Sequence, residues 1–229
     1  MRFPDGTAAG GSWIWLSRVL DGRTPAYGGG PGLEVMVEKS IERGDSSNAV
    51  RLAFSNHLGS HVDAPLHFDP KGRSVEEFAP EDWLFPRSLL IDVPFDGAEL
   101  ITPLHLEKAC VSTADTDLLL VRTGFGRRRS EERFWREGPG FAADTAAWLS
   151  QRFPGLSAIG MDSISLTSFQ HREEGRRAHA AFLSRGLRIF EDLALENVPS
   201  GHSLAGVIAL PLRFARGDGA PCCVIGQLA

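Results

Sequence analysis

The chain is poor in cysteine, in tyrosine and in excess positive charge. Its 229 residues include three cysteines, two of them adjacent at Cys222 and Cys223, and a single tyrosine, Tyr27. Three cysteines with this spacing make neither a disulfide framework nor a zinc–thiolate site. A formal net charge of -5 gives no electrostatic reason to expect nucleic acid or an anionic membrane as a partner.

Long hydrophobic runs are also missing. No window approaches the length of a membrane span, and residues 1–5 are followed by a glycine-rich stretch rather than by the apolar segment of a signal peptide. Together with the sparse cysteines, these absences predict a protein of a reducing compartment, and the cytoplasm is the expected location.

The overall composition is that of an ordinary globular protein. Hydrophobic residues make up 42% and charged residues 23% of the chain, so a sizeable core can form. No repeat or low-complexity linker divides the sequence, and we predict one catalytic domain over residues 1–229. The basic runs 127–129 and 176–177 stand next to glutamates, and we interpret both as solvated surface.

Short apolar runs separated by glycines indicate more strands than helices. The predicted strands are 12–16, 34–41, 50–55, 88–93, 118–123, 156–161, 204–212 and 222–227, with a hairpin turn at 217–219. The predicted helices are 102–110, 141–151 and 176–184. We therefore expect an α/β fold, in which a mixed or barrel-like sheet is flanked by a few helices.

The segment 57–67 carries the strongest chemical pattern. It reads HLGSHVDAPLH and contains His57, His61, Asp63 and His67. A proline at position 65 excludes a helix interior, and a straight strand would spread the segment over about 33 Å. Residues of equal parity share one face of an extended chain. The side chains therefore converge only if the chain folds over, which Gly59 and Pro65 allow in a shaped loop.

These residue types favour a metal site. Imidazole and carboxylate groups without thiolate suit zinc, manganese or iron(II), and His61 and Asp63 form a natural chelating pair. Three protein ligands leave coordination positions open, as in catalytic rather than structural metal sites. The alternative is that the histidines are separate surface or hydrogen-bonding groups, and their spacing argues against it.

The pattern H-x-G-[ST]-H-x-D-x-P-x-H resembles the motif of the metal-dependent cyclase and kynurenine formamidase-like hydrolases. The resemblance covers nearly the whole chain, from the entry segment 24–27 to residues 209–221. It implies the swivelling β/β/α fold of that family. It also implies that His57, His61 and Asp63 bind metal, that Asp63 bridges when two ions are present, and that His67 is the catalytic acid and base.

The resemblance further implies a second metal site, made by a later histidine and a glutamate twelve residues beyond it. His179 and Glu191 have this separation. A continuous helix would hold them about 18 Å apart, so the chain has to break, and Gly186 followed by an extended stretch 187–192 provides the break. The expected cofactor is a divalent metal, two zinc ions per chain, with manganese as the alternative.

The implied reaction is hydrolysis of a small aromatic amide, such as N-formylkynurenine to kynurenine and formate in tryptophan breakdown. A bound metal lowers the pKa of water towards about 7, and a histidine such as His67 can carry the proton to the departing nitrogen. The expected substrate contacts are Phe68 and Tyr27, although core packing is the favoured interpretation of Phe68 from its residue type. Tyr27 stands where the formamidases typically place a tryptophan.

Two other functions stay open at this stage. A lactam-opening hydrolase of the isatin type would use one manganese and leave His179 and Glu191 without metal. A metal or ligand binder without catalysis would have no use for His67. Relatives in the family are usually dimers or tetramers, so we expect a homo-oligomer acting on a small molecule. The remaining histidines are predicted at the surface (His105), in a loop near the site (His171) and in a structural turn (His202).

Overall fold

The structure is a computed structural model that describes residues 12–110 and 115–229. Within these ranges the chain forms thirteen strands and four α-helices. The strands are β1 (Trp13–Trp15), β2 (Glu34–Lys39), β3 (Ala49–Ala53), β4 (His61–Asp63), β5 (Leu84–Phe85), β6 (Ser88–Asp92), β7 (Leu100–Ile101), β8 (Leu118–Arg122), β9 (Gly140–Phe141), β10 (Ala158–Met161), β11 (Arg188–Glu191), β12 (Leu204–Pro211) and β13 (Gly219–Leu228). The helices are α1 (Pro103–Ala109), α2 (Arg133–Arg136), α3 (Asp144–Arg152) and α4 (Arg172–Leu183).

One mixed sheet dominates the fold. Its strand order is β5-β12-β13-β4-β11-β10-β8-β6, and β1 pairs with β13 beside this path. The segment from β11 to β6 is parallel, and the pairs from β5 to β11 are antiparallel. The end strands β5 and β6 are separated by only residues 86–87, so the sheet curls into a nearly closed barrel. The predicted α/β class with a barrel-like mixed sheet is confirmed.

The buried strand β8 shows why this sheet has a core on both faces. Alternate side chains of a strand point to opposite faces. Leu118 and Leu120 pack in the interior of the curled sheet, whereas Leu119 and Val121 pack in the layer between the sheet and helices α3 and α4. A fully buried side chain of this size contributes roughly 1.5–3 kcal/mol. This continuous apolar run is what parallel strands covered on both faces require.

Two predicted helices have different starts in the structure. Helix α3 begins at Asp144, because Phe141 pairs with Ile101 in the small parallel sheet of β7 and β9 and is fully buried. Helix α4 begins at Arg172, one turn before the predicted residue 176. The sequence pattern does not predict this first turn, because Gly175 is a weak helix former. Glycine is needed at this position, since a Cβ there would collide with the side chain of Thr167.

The predicted C-terminal hairpin is formed by β12 and β13, but its turn is longer than residues 217–219. Strand β13 already begins at Gly219, and the connection from β12 spans residues 212–218. Of the four described helices, none combines the length and the apolar character needed to cross a membrane. The single-domain organisation over residues 1–229 stays a prediction.

Candidate metal centre

Strand β4 lies in the middle of the 57–67 segment and positions its two central side chains. It is inserted between β11 and β13, so that His61 pairs with Glu191 and Asp63 pairs with Gly219. Directly paired residues lie on the same face of a sheet. The prediction of a loop across the whole segment is therefore wrong at its centre, where the chain is a short buried strand. The shared face of His61 and Asp63 agrees with their parity.

On both sides of β4 the chain turns back, as expected from its glycine and proline. Gly59 has a φ of +69°, and a Cβ at this position would collide with Leu20. Pro65 opens the 3₁₀ helix Pro65–His67. These two turns bring the rings of His57 and His67 to a centroid distance of 4.1 Å.

Asp63 stands at the centre of the cluster and is shared by two groups of donor atoms. One group is His57, His61 and Asp63, and the other is Asp63, His179 and Glu191, with the donor atoms of each group within 4.8 Å of one another. The Oδ1 atom of Asp63 lies 2.8 Å from His57 Nδ1 and 3.4 Å from His61 Nε2. Its Oδ2 atom lies 3.4 Å from His179 Nε2. One carboxylate thus faces both groups.

Glu191 closes the second group and is held in place by the backbone. Its Oε1 atom lies 3.3 Å from His179 Nε2, and its Oε2 atom lies 3.3 Å from His61 Nε2. Oε1 also accepts hydrogen bonds from the Leu166 N–H at 2.6 Å and the Ser165 hydroxyl at 3.0 Å. The break after α4 and the extended strand β11 are therefore placed as the sequence requires for convergence.

The two buried histidines have fixed orientations. His61 Nδ1 donates to the Gly59 carbonyl at 2.8 Å, and His179 Nδ1 lies 3.0 Å from the Gly175 carbonyl. Each Nε2 atom therefore points to the carboxylates. Metal-binding histidines are typically held in this way through the nitrogen that does not bind the ion.

The electrostatics of the cluster show strong coupling between imidazoles and carboxylates. Burial alone would lower the pKa of His179, but hydrogen bonds to Asp63 and Glu191 outweigh burial and raise it to about 10. Burial and the charge of Asp63 would raise the pKa of Glu191, but hydrogen bonds from His179 and His61 lower it to about 2. A cation bound between these groups would compete with the protons that the raised pKa of His179 favours.

The donor set fits a divalent metal ion. Three imidazoles and two carboxylates, without thiolate, gather around a shared oxygen pair, and four of the five side chains are buried. Which ion binds, how many bind, and which of these side chains bind them stay predictions.

Asp218 is a component of the site that sequence reasoning missed. It accepts a hydrogen bond from His67 Nδ1 at 2.8 Å and lies 3.0 Å from His57 Nε2. Burial would raise its pKa, but the hydrogen bonds to His67 and His57 lower it to about 2. The only sequence feature at this position is the triplet Gly217-Asp218-Gly219, which indicates a turn and not a component of a catalytic site. Among the described residues, His67 Nε2 has no hydrogen-bond partner.

A cavity of about 300 Å³ opens over the cluster and includes both predicted substrate contacts. Phe68 lies in its wall and stacks on His179 with ring centroids 4.8 Å apart, so the interpretation of core packing is wrong for this residue. Tyr27 also lines the cavity, and its buried hydroxyl has no hydrogen-bond partner within residues 12–110 and 115–229. Burial raises the pKa of Tyr27 to about 12.

The basic runs are not simply solvated surface. Arg176 lines the cavity, and the guanidinium of Arg129 binds both carboxylate oxygens of buried Asp192. Neither role is visible from the neighbouring glutamates. Of the remaining histidines, His105 contacts Thr102 at the start of α1, His202 is exposed, and His171 does not line the cavity.

The barrel-like sheet carries a buried imidazole–carboxylate cluster, and comparisons with known proteins identify the family of the chain. The model of the Cyclase family matches residues 14–167, and the chain belongs to this family. It is 31% identical to a kynurenine formamidase of Bacillus cereus over 212 residues, covering 91% of this chain and 94% of that protein. It is 32% identical to a kynurenine formamidase of Bacillus thuringiensis over 209 residues, with the same coverage.

Solved structures show the same fold at lower sequence identity. Isatin hydrolase A from Labrenzia aggregata superimposes with a TM-score of 0.78 at 22% identity, covering 94% of this chain and 93% of that chain. A potential metal-dependent hydrolase with cyclase activity superimposes with a TM-score of 0.74 at 22% identity, covering 94% and 97%. The prediction of an amide hydrolase, acting on C–N bonds other than peptide bonds, is confirmed at the level of the enzyme class by the kynurenine formamidase relatives.

Proposed function

We propose that this protein is an arylformamidase-type hydrolase that converts N-formylkynurenine to kynurenine and formate. The observation that carries the proposal is the free Nε2 atom of His67, held by Asp218 at the edge of a donor cluster that opens into a small cavity. The formamidases that match along more than nine-tenths of the chain support this substrate over others.

The metal ligands in this proposal are His57, His61 and Asp63 for one ion and His179 and Glu191, with Asp63 shared, for a second. Zinc is the proposed metal and manganese the alternative. A bound divalent ion supplies a Lewis acid for the acyl carbonyl and lowers the pKa of water.

The other steps belong to the protein's own side chains. His67 Nε2 takes a proton from the attacking water and returns it to the departing aryl nitrogen, which is general acid–base catalysis. Asp218 accepts the Nδ1 hydrogen bond of His67 and thereby keeps Nε2 turned towards the cavity. Phe68 and Tyr27 line the cavity and provide the apolar wall for an aromatic ring.

A lactam-opening reaction on isatin is the second candidate, and the isatin hydrolase fold together with Tyr27 in place of the expected tryptophan favours it.

We would incubate zinc- or manganese-loaded protein with N-formylkynurenine, isatin and formanilide. We expect kynurenine and formate from the first compound and slower hydrolysis of the others. If isatin alone is opened, the second candidate is correct. If metal binds but no compound reacts, the protein is a binder without catalysis.

We further propose that the chain is a cytoplasmic homo-oligomer, a dimer or a tetramer. The hairpin of β2 and β3 pairs with no other described strand, and its Val35, Val37, Val50 and Leu52 are each about half exposed. A two-stranded hairpin is marginal in water, and exposed apolar patches mark interaction sites. The native mass of the protein in the cytoplasmic fraction, measured by size-exclusion chromatography with light scattering, should exceed one chain. A monomer would contradict the proposal.

A further inference from the structure

Helix α4 carries more than the buried histidine that faces the donor cluster. Arg172, Arg176 and His179 follow one another at spacings of four and three residues, so at 100° per residue they lie within about 60° on the same helical face. All three line the cavity, with His179 buried and both arginines exposed. One face of α4 therefore carries both a member of the donor cluster, His179, and two exposed guanidinium groups that line the same cavity.

Neither of these two arginines is neutralised within residues 12–110 and 115–229. Arg172 lies over the ring of Phe169 at 5.4 Å, and no ion pair joins either guanidinium to an acid of the described chain. Arg177, the next residue on the helix, instead pairs with Glu174 and does not line the cavity. Two free guanidinium groups that face one small cavity are suited to bind an anion, because arginine matches a carboxylate with two parallel hydrogen bonds.

The Tyr27 hydroxyl is an independent sign of a missing polar partner in the same cavity. The oxygen is buried and has no hydrogen-bond partner among the described residues, which is unfavourable for a buried polar group. The charges of Arg172 and Arg176 both act on this hydroxyl. A ligand oxygen that accepts from the hydroxyl would satisfy it.

We infer that Arg172, Arg176 and the Tyr27 hydroxyl bind a carboxylate of the substrate, so that the substrate is an aryl amide with a carboxylate group rather than a cyclic amide without one. The inference rests on the proposed function and names its substrate class. Along the helix axis, Arg176 lies about 4.5 Å and Arg172 about 10.5 Å from His179. The carboxylate should therefore lie roughly one to two helical turns from the carbonyl that is hydrolysed.

A pair of substrates that differ only in this charge tests the inference. We would compare kcat/KM for N-formylkynurenine and for its carboxamide in the wild-type protein and in the double variant Arg172→Gln/Arg176→Gln. The double variant should lose about 10- to 100-fold on the carboxylate, because hydrogen bonds to charged groups are lost, and less than about threefold on the carboxamide. The loss should appear mainly in KM, because the contacts are remote from the reacting bond.

Matched variants separate this role from a structural one. Arg177→Gln removes a cation from the same helix outside the cavity and should leave both substrates unchanged. Tyr27→Phe keeps the aromatic ring and should lower kcat/KM for the carboxylate by a few fold more than for the carboxamide. Equal losses on both substrates, or no loss on the carboxylate in the double variant, would overturn the inference.

A binding measurement decides the inference even if the proposed hydrolysis fails. Calorimetric titration of metal-loaded protein with kynurenine and with its carboxamide requires no turnover. We expect the carboxylate to bind at least about tenfold more tightly, and the double variant to lose this preference while it retains its metal. Equal affinities in the wild-type protein, or a preference that survives in the double variant, would show that the arginines do not bind the anion.

Discussion

Replacement of Asp63 by asparagine is expected to cause the largest loss of metal and activity of any single isosteric change in this protein. One oxygen of Asp63 faces His57 and His61, and the other faces His179, so the substitution weakens both donor groups at once. Even outer partners of metal ligands change metal affinity by about 10- to 100-fold, and a direct, shared ligand should exceed this range. Metal content per chain and hydrolysis of N-formylkynurenine would both be measured.

Two further variants make the Asp63 result interpretable. Asp69→Asn changes an exposed carboxylate two residues beyond the same segment and should retain metal and activity. Glu191→Gln changes only the second donor group, so about one ion per chain should remain. Circular dichroism would establish that each variant is folded. A folded Asp63→Asn protein with wild-type metal content would contradict the placement of the ions around this carboxylate.

His67→Ala should abolish most of the hydrolysis while the metal stays bound. In the proposed mechanism this side chain moves the proton, and a general acid–base group contributes about 10²- to 10⁴-fold to the rate. We expect kcat to fall by this factor. Its only polar contact within the described residues is with Asp218, and it is partly exposed, so the fold should tolerate the change. Metal content and kcat on the same preparation give the answer.

His202→Ala is the matched control, because this histidine is exposed and lies far along the chain in a turn. It should have wild-type activity. Asp218→Ala should fall between the control and His67→Ala, since His67 remains but loses the acceptor that orients it. Full activity of the His67→Ala protein would assign the proton transfer to another group, and loss of its metal would make His67 a ligand instead.

The part of the site that was predictable from residues alone is the part that is contiguous in sequence. Parity placed His61 and Asp63 on one face, and Gly59 and Pro65 required the chain to turn on both sides. These are local rules of backbone geometry, which a short segment obeys wherever it lies in a fold.

Components that come from distant segments were not predictable from local rules. Glu191 reaches the cluster through the pairing of β11 with β4, and Asp218 reaches it because the chain enters β13 beside the same strand. Such registers depend on tertiary pairing, which no local pattern specifies. The resemblance to known hydrolases therefore had to supply Glu191, and Asp218 was missed.

The role of Arg176 was hidden for a related reason. A helix predicted to begin at residue 176 places this arginine at an exposed end, next to Glu173 and Glu174, where a solvated surface is the natural interpretation. The structure begins the helix one turn earlier, and only then do Arg172, Arg176 and His179 fall on one face. Because the predicted start of this helix was four residues too late, the sequence did not indicate that Arg172 and Arg176 line the cavity together.

The decisive measurement is elemental analysis of freshly purified protein, coupled to hydrolysis of N-formylkynurenine before and after chelation. We expect about two divalent ions per chain, loss of hydrolysis when a chelator removes them, and recovery when zinc or manganese is returned. Protein that contains no metal, and that no added ion converts into an active hydrolase, would contradict it.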